Sequence, residues 1–287
     1  MTGASLSVSG HHHEQAIRHI RHGRYDRGLG CDMFMATGVV SDCSCMETYN
    51  FSVSFKLVHS IDFYSDFDEV LCPLAGAGAS KEKLSQAKQI MLQYSPTGKV
   101  PVLIDHELDI TICESLAILL HVAELFPDYK LLPVDLPSRS LCLSACTEMH
   151  SGFSALRQHF SMNCLIVAKV HGQRVLENNE DVRNDIQRLC ELISGLKATY
   201  GAEGASGHLF NHFTVADCMF APVAIRFNTY CPDYRSDIFD KYPVAVEYFQ
   251  SLYRNPMVQE WIAEARLEGP SLKISKYEEF SDDFLQL

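Results

Sequence analysis

Pro101 stands inside an otherwise strand-like run, Lys99–Ile104, directly after the turn cluster Ser95-Pro96-Thr97-Gly98. Proline has no backbone N–H and removes one rung of a β-ladder, so a central strand normally excludes it. Two local solutions are open. Either the run is an edge strand, or the Val100–Pro101 bond is cis and turns the chain so that Val100 presents its backbone N–H and C=O outward. Asp105–Glu107 then carries a turn and Leu108–Ile112 returns as the second arm of a hairpin. Around this hairpin the order is strand, helix, strand, strand, helix. Asp68–Leu74 is a short strand, and Ala79–Gln93 is a helix with Leu84, Ala87 and Ile90 on one side. After the hairpin, Ser115 opens an apolar helix, Leu116–Leu125, which Phe126-Pro127-Asp128 stops.

Upstream the pattern is less decided. Met33–Val40 is apolar, reads as a first strand, and ends in the polar loop Ser41–Cys45. Thr48–Leu57 carries two periods at once. Phe51, Val53, Phe55 and Leu57 alternate with polar residues as in a strand, while Phe51, Phe55 and Val58 share a helical stripe. Residues 1–30 are rich in His, Arg, Gly and Ser, and the run His11–His13 reads as part of a solvated extension.

Downstream of the Pro-rich linker Lys130–Pro137, the period turns helical. Ser138–Phe160, Asp181–Tyr200, Val215–Tyr230 and Val244–Asn255 each place apolar residues at helical spacing, and Gly201–Asn211 is a glycine-rich loop. Thr214-Val-Ala-Asp217 has capping-box spacing, with Phe213 before it, and is expected to fix the start of a long buried helix. Loss of Asp217 is then expected to cost about 1 kcal/mol or somewhat more, as for other caps. The outline is a small α/β domain followed by an all-α domain.

Composition narrows the chemistry. A net charge of -12 argues against a nucleic-acid backbone or an anionic membrane as the main partner. Eleven cysteines are scattered, with no Cys-x-x-Cys pair and no zinc-ribbon spacing, so no structural metal site is expected. Their odd number, with no apolar signal segment in Met1–Gly10, fits a protein of the reducing cytoplasm. No run approaches the ~18 apolar residues that a spanning helix needs.

The segment Ser95-Pro-Thr-Gly-Lys-Val-Pro-Val-Leu103, followed by Cys113-Glu-Ser-Leu-Ala-Ile118, resembles the core signature of the cytosolic glutathione transferases. Leu209-Phe-Asn-His-Phe-Thr-Val-Ala-Asp217 is similar to the family's second signature, in its usual later position. The runs Glu148–Arg157 and Ala221–Phe227 look like a bacterial-type branch related to the zeta-like, serine-using enzymes. The resemblance covers roughly residues 66–262. It implies a thioredoxin-like N-terminal domain with an all-α C-terminal domain. On that basis residues 1–45 are an N-terminal extension, partly disordered; 46–130 are the glutathione-binding domain; and 137–287 are the helical domain.

The resemblance also assigns roles. The backbone of Val100, set by Pro101, would pair with the cysteinyl part of glutathione, and Lys99 could neutralise one of its carboxylates. Glu114 would take the γ-glutamyl ammonium group, and the hydroxyl and N–H of Ser115 its carboxylate, at a helix N-terminus that favours an anion. Met149, Phe153 and Met162 are candidates for the second-substrate pocket, where soft and aromatic side chains suit apolar electrophiles, although for any single one of them a place in the core is the favoured reading. Arg157 and Arg226 are expected in interhelical ion pairs. Glutathione is the cosubstrate, a small electrophile the partner, and a homodimer the expected assembly; no metal is implied.

Glutathione attacks only as the thiolate, and a free thiol has a pKa of about 8.5, so a hydroxyl donor must stabilise the ion. In zeta-like enzymes a Ser near the end of the first strand does this. Two segments compete for the place. Phe51-Ser-Val-Ser-Phe-Lys56 offers Ser52, but Phe51 stands where that motif has its acting Ser. Ser41-Asp-Cys-Ser-Cys45 offers Ser44 or Cys45, and a cysteine there would turn conjugation into mixed-disulfide exchange. A transferase-like scaffold without activity is the further alternative.

Overall fold

The computed structural model describes residues 17–20, 33–39, 67–73, 80–201, 207–268 and 283–284. Strands β1 (Ile17–Ile20), β2 (Met33–Val39), β3 (Phe67–Pro73), β4 (Val102–Asp105) and β5 (Ile110–Cys113) form one sheet in the order β1-β3-β2-β4-β5. β2 runs parallel to β3 and antiparallel to β4, so Ala36 faces Val70 on one side and Val102 on the other. β4 and β5 form the expected hairpin, with Val102 opposite Cys113.

Two strands of this sheet lie before residue 46, where the glutathione-binding domain is expected to begin. Met33–Val39 is the middle strand of the sheet, and Ile17–Ile20 pairs antiparallel with the outer side of β3.

The alternation of β4 divides the core. Val100 and Val102 pack with Val70 and Cys72 under helix α1 (Lys81–Met91), whose Ile90 and Met91 lie against them. Leu103, one residue on, joins Ile118, Leu119 and Val122 of helix α2 (Ser115–Leu125). Successive strand residues serve opposite faces, as the pleat dictates. Leu84, expected on the inner side of α1, is instead 50% exposed. From α2 the same apolar cluster runs without a break into the helical domain. A backbone bond crosses the junction, Val215 N–H donating to the Leu131 carbonyl at 2.9 Å.

The helical domain is built on α7 (Val215–Tyr230), buried at every position but Asn228. Around it stand α3 (Leu136–Ser151), α4 (Ser154–His159), α5 (Lys169–Asn178), α6 (Glu180–Tyr200), α8 (Pro243–Tyr253) and α9 (Pro256–Glu268). A two-stranded pairing of β6 (Ile166–Val167) with β7 (Asp283–Phe284) lies beside α7.

The single helix expected over Ser138–Phe160 is two. Gly152 ends α3, and Phe153 takes a left-handed conformation at φ 58° with its side chain buried in the core. Arg157 reaches back to the carbonyls of His150 and Gly152, so the broken end is not left without donors. Helix α5 has no counterpart in the sequence pattern. It is seated by Gly172, where a Cβ would lie 2.0 Å from the Tyr230 carbonyl oxygen.

Candidate functional site

The hairpin register sets the site. Because Val102 pairs with Cys113, the residues just before β4 and just after β5 emerge at the same end of the sheet. Lys99, Val100 and Pro101 thus come beside Glu114 and Ser115, although the two groups are separated in sequence. The Val100–Pro101 bond is cis, and both residues are buried. The turn leading in is ordered by its own side chains: buried Ser95 bonds through Oγ to Thr97 Oγ1 at 2.9 Å, and Thr97 Oγ1 accepts from Lys99 N–H at 3.3 Å. Gly98 closes it at φ 65°, a conformation that other residues rarely adopt. Lys99 is exposed.

On the other arm, Glu114 precedes α2 at φ 72° and ψ 128°, and its side chain makes no cap bond to the helix. No acidic residue occupies the first turn of α2. Ser115 is 1% exposed, and its Oγ has no hydrogen-bond partner among the described residues. A buried hydroxyl without a partner costs about 1–3 kcal/mol, so such groups usually have a reason. At a helix N-terminus it can serve an anion, to which backbone N–H groups and hydroxyl would donate together. The Glu114 carboxylate lies 3.8 Å from the His150 imidazole of α3, across the seam between the domains.

Below the hairpin, Asp105 is buried and accepts from Leu108 N–H at 3.0 Å, with His121 Nε2 at 3.2 Å. Burial pushes this carboxyl up, but the Leu108 N–H, His121 and the Glu107 N–H together outweigh it and hold it below the ordinary carboxylate range.

Met149, Phe153 and Met162 are 1%, 6% and 1% exposed and belong to the continuous core. Met149 shares one face of α3 with Cys142, Ala145 and Cys146, at helical spacing. Arg226 is buried too, donating to the Pro222 carbonyl at 3.0 Å and to Met162 Sδ at 3.6 Å. Arg157 donates to the carbonyls at the end of α3. Ser44, Cys45 and Ser52 lie outside the described residues. Among the described cysteines, burial pushes the thiols of Cys72, Cys190 and Cys231 up to about 11, 12 and 12. Thiols so shifted are protonated at neutral pH and are not nucleophiles.

Two family models match this arrangement domain by domain: "Glutathione S-transferase, N-terminal domain" over residues 79–124 and "Glutathione S-transferase, C-terminal domain" over residues 145–251. The chain belongs to the glutathione S-transferase family. It is similar to Glutathione S-transferase 1 of Dianthus caryophyllus, 28% identical over 134 residues, which are 47% of this chain and 57% of that protein. The chain thus spans little more than half the length of that relative.

Solved transferase structures share the fold. A glutathione transferase homologue from Burkholderia GL BGR1 with bound glutathione aligns at 18% identity, covering 82% of this chain and 98% of that one, with a TM-score of 0.54. The glutathione transferase Ure2p5 of Phanerochaete chrysosporium aligns at 16%, covering 85% and 99%, with a TM-score of 0.55. Ure2p in complex with glutathione gives 15%, 81%, 99% and 0.54. Among the described residues, no helix is long and apolar enough to cross a membrane.

Proposed function

We propose that this transferase-family chain binds glutathione in its first domain and uses the thiolate against a small electrophile. The observation that carries the reading is the buried Ser115 hydroxyl at the N-terminus of α2, without a partner among the described residues, beside the half-exposed carboxylate of Glu114. A zwitterionic amino-acid end needs an anion for its ammonium group and donors for its carboxylate, and the pair supplies both. Val100, next to Pro101 and across the hairpin from Glu114, is at the right end of the sheet to bind the cysteinyl backbone as an added strand. Lys99 is the cation for a carboxylate of the ligand.

For the thiolate donor, the sheet topology favours the earlier of the two segments. β2 is the strand that precedes the crossover to parallel β3, and it ends at Val39, so Ser41–Cys45 follows it directly and Ser52 stands well beyond. Ser44 would make the protein a conjugating or isomerising enzyme, as the zeta-like resemblance implies. Cys45 would make it a thioltransferase, because the protein would own the nucleophile. Detoxification in the cytoplasm, as a homodimer, is the setting this reading gives it.

Titration calorimetry with reduced glutathione tests the reading. Saturable binding that Glu114→Ala weakens sharply supports it. No binding at millimolar glutathione sinks it and leaves the second reading, a transferase-shaped interaction protein. Separate Ser44→Ala, Cys45→Ala and Ser52→Ala variants, assayed for conjugation and for mixed-disulfide reduction, distinguish the donors.

A further inference from the structure

Glu114 departs from ordinary capping in two ways. Its backbone sits at φ 72° and ψ 128°, outside the regions a non-glycine residue normally occupies, and such conformations persist only where surrounding structure imposes them. Its carboxylate makes no cap bond to the helix it precedes and meets the second domain, Oε2 standing 3.8 Å from His150 Nε2. That distance is within ion-pair range and longer than a direct hydrogen bond.

His150 is well supported for such a contact. It lies in the last turn of α3, and Arg157 of α4 donates to its carbonyl oxygen at 3.1 Å. The residue before it, Met149, is locked in the core. Two positions before it, Glu148 accepts two bonds from Arg188 of α6, at 2.7 and 2.9 Å. The helix end is held from three directions, while the imidazole, 26% exposed, faces a Glu114 side chain 45% exposed.

We propose that His150 is a positioning residue for the γ-glutamyl end of glutathione, holding the Glu114 carboxylate at the domain seam where the ligand's ammonium group meets it. The inference rests on the glutathione reading above. A carboxylate offers about four lone-pair sites, so an imidazole N–H and an ammonium group can share it. A side chain already held in place loses less rotamer freedom when the ligand arrives, and that difference appears as affinity. His150 also makes the subsite a joint product of both domains, since its acid comes from the first and its brace from the second.

The test is calorimetric titration of the full chain with reduced glutathione, comparing wild type with His150→Ala, His150→Asn and His150→Gln, and repeating His150→Ala on a Glu114→Ala background. Alanine and the short asparagine are expected to weaken binding about five- to twentyfold, the size of one modest polar contact. Glutamine, which carries an N–H donor to similar reach, restores most of the loss. On the Glu114→Ala background the alanine change has no further effect. Should the alanine variant not fold, asparagine against glutamine carries the comparison. Unchanged affinity in His150→Ala or His150→Asn, no rescue by glutamine, or simple additivity with Glu114→Ala overturns the inference while the glutathione reading stands. A wild-type chain that does not bind glutathione overturns both.

Discussion

The Tyr248 hydroxyl donates to Asp217 Oδ1 at 3.1 Å, and so ties α8 to the first turn of α7. The same oxygen accepts from Leu209 N–H at 3.1 Å, while Oδ2 accepts from Thr214 N–H at 2.9 Å and Thr214 Oγ1 at 3.1 Å. Burial pushes this carboxyl up, and the Thr214 and Leu209 N–H groups and the Tyr248 hydroxyl pull the other way. Asp217 is therefore more than the cap that Thr-x-x-Asp spacing announces. Asp217→Ala strands four donors in the interior and is expected to cost about 3–5 kcal/mol, well above the ~1 kcal/mol of an ordinary cap. Tyr248→Phe removes one donor and is expected to cost about 1 kcal/mol. Denaturant unfolding of both variants checks the difference.

Two glycines give opposite expectations for the same substitution. A Cβ on Gly172 would stand 2.0 Å from the Tyr230 carbonyl oxygen and 2.8 Å from its carbon, and these backbone atoms belong to the buried end of α7. Gly172→Ala must push α5 off α7 and is expected to cost about 2–3 kcal/mol. A Cβ on Gly195, inside α6, meets nothing within 4 Å. Gly195→Ala is expected to gain about 0.5–1 kcal/mol through helix propensity alone. Thermal unfolding of the two variants side by side reads both signs.

These two cases also mark what the sequence could reveal. Thr214, Asp217 and the apolar period of Val215–Tyr230 are neighbours along the chain, so local spacing was enough to read that helix end to end. Pro101 was legible for the same reason. Helix α5 was not, because its place depends on Gly172 meeting Tyr230, a contact between distant segments. Nor was the break at Phe153, where a non-glycine residue enters the left-handed region to put its ring in the core. Met149 and Met162 could not be sorted between pocket and core, since soft side chains at helical spacing suit either. In the candidate site, Glu114 and Ser115 are adjacent in sequence and could be singled out there, whereas the approach of His150 to Glu114 depends on how the domains pack.

Asp105 supplies a pH dependence of known sign. Its carboxyl is held below its ordinary value, so the folded state binds that proton less tightly than the unfolded chain does. The stabilisation is fully present above the unfolded value of about 3.9 and is lost as pH falls through the lower folded value. At pH 7, Asp105→Asn is expected to be about 1–2 kcal/mol less stable than wild type, and the gap should close below about pH 4. His121→Ala removes one of the groups that favour the ionised form and should raise the pH at which the gap closes. Urea unfolding of the three proteins between neutral and acid pH follows it. A gap that persisted unchanged into acid would assign Asp105 a purely geometric role.

Ser115 should separate stability from binding. Among the described residues its hydroxyl is buried without a partner, so deleting it removes an unsatisfied polar group and not a bond. Ser115→Ala is therefore expected to melt at or slightly above the wild-type temperature. Ser115→Val, which adds bulk at a position 1% exposed, should melt lower. If the hydroxyl waits for a ligand carboxylate, the alanine variant should at the same time bind glutathione about tenfold more weakly, because one donor to a charged group is gone. A variant both less stable and unchanged in binding would mean that the hydroxyl serves the fold. Raised or unchanged stability with weakened binding is the signature of a residue kept for its ligand at a cost in stability.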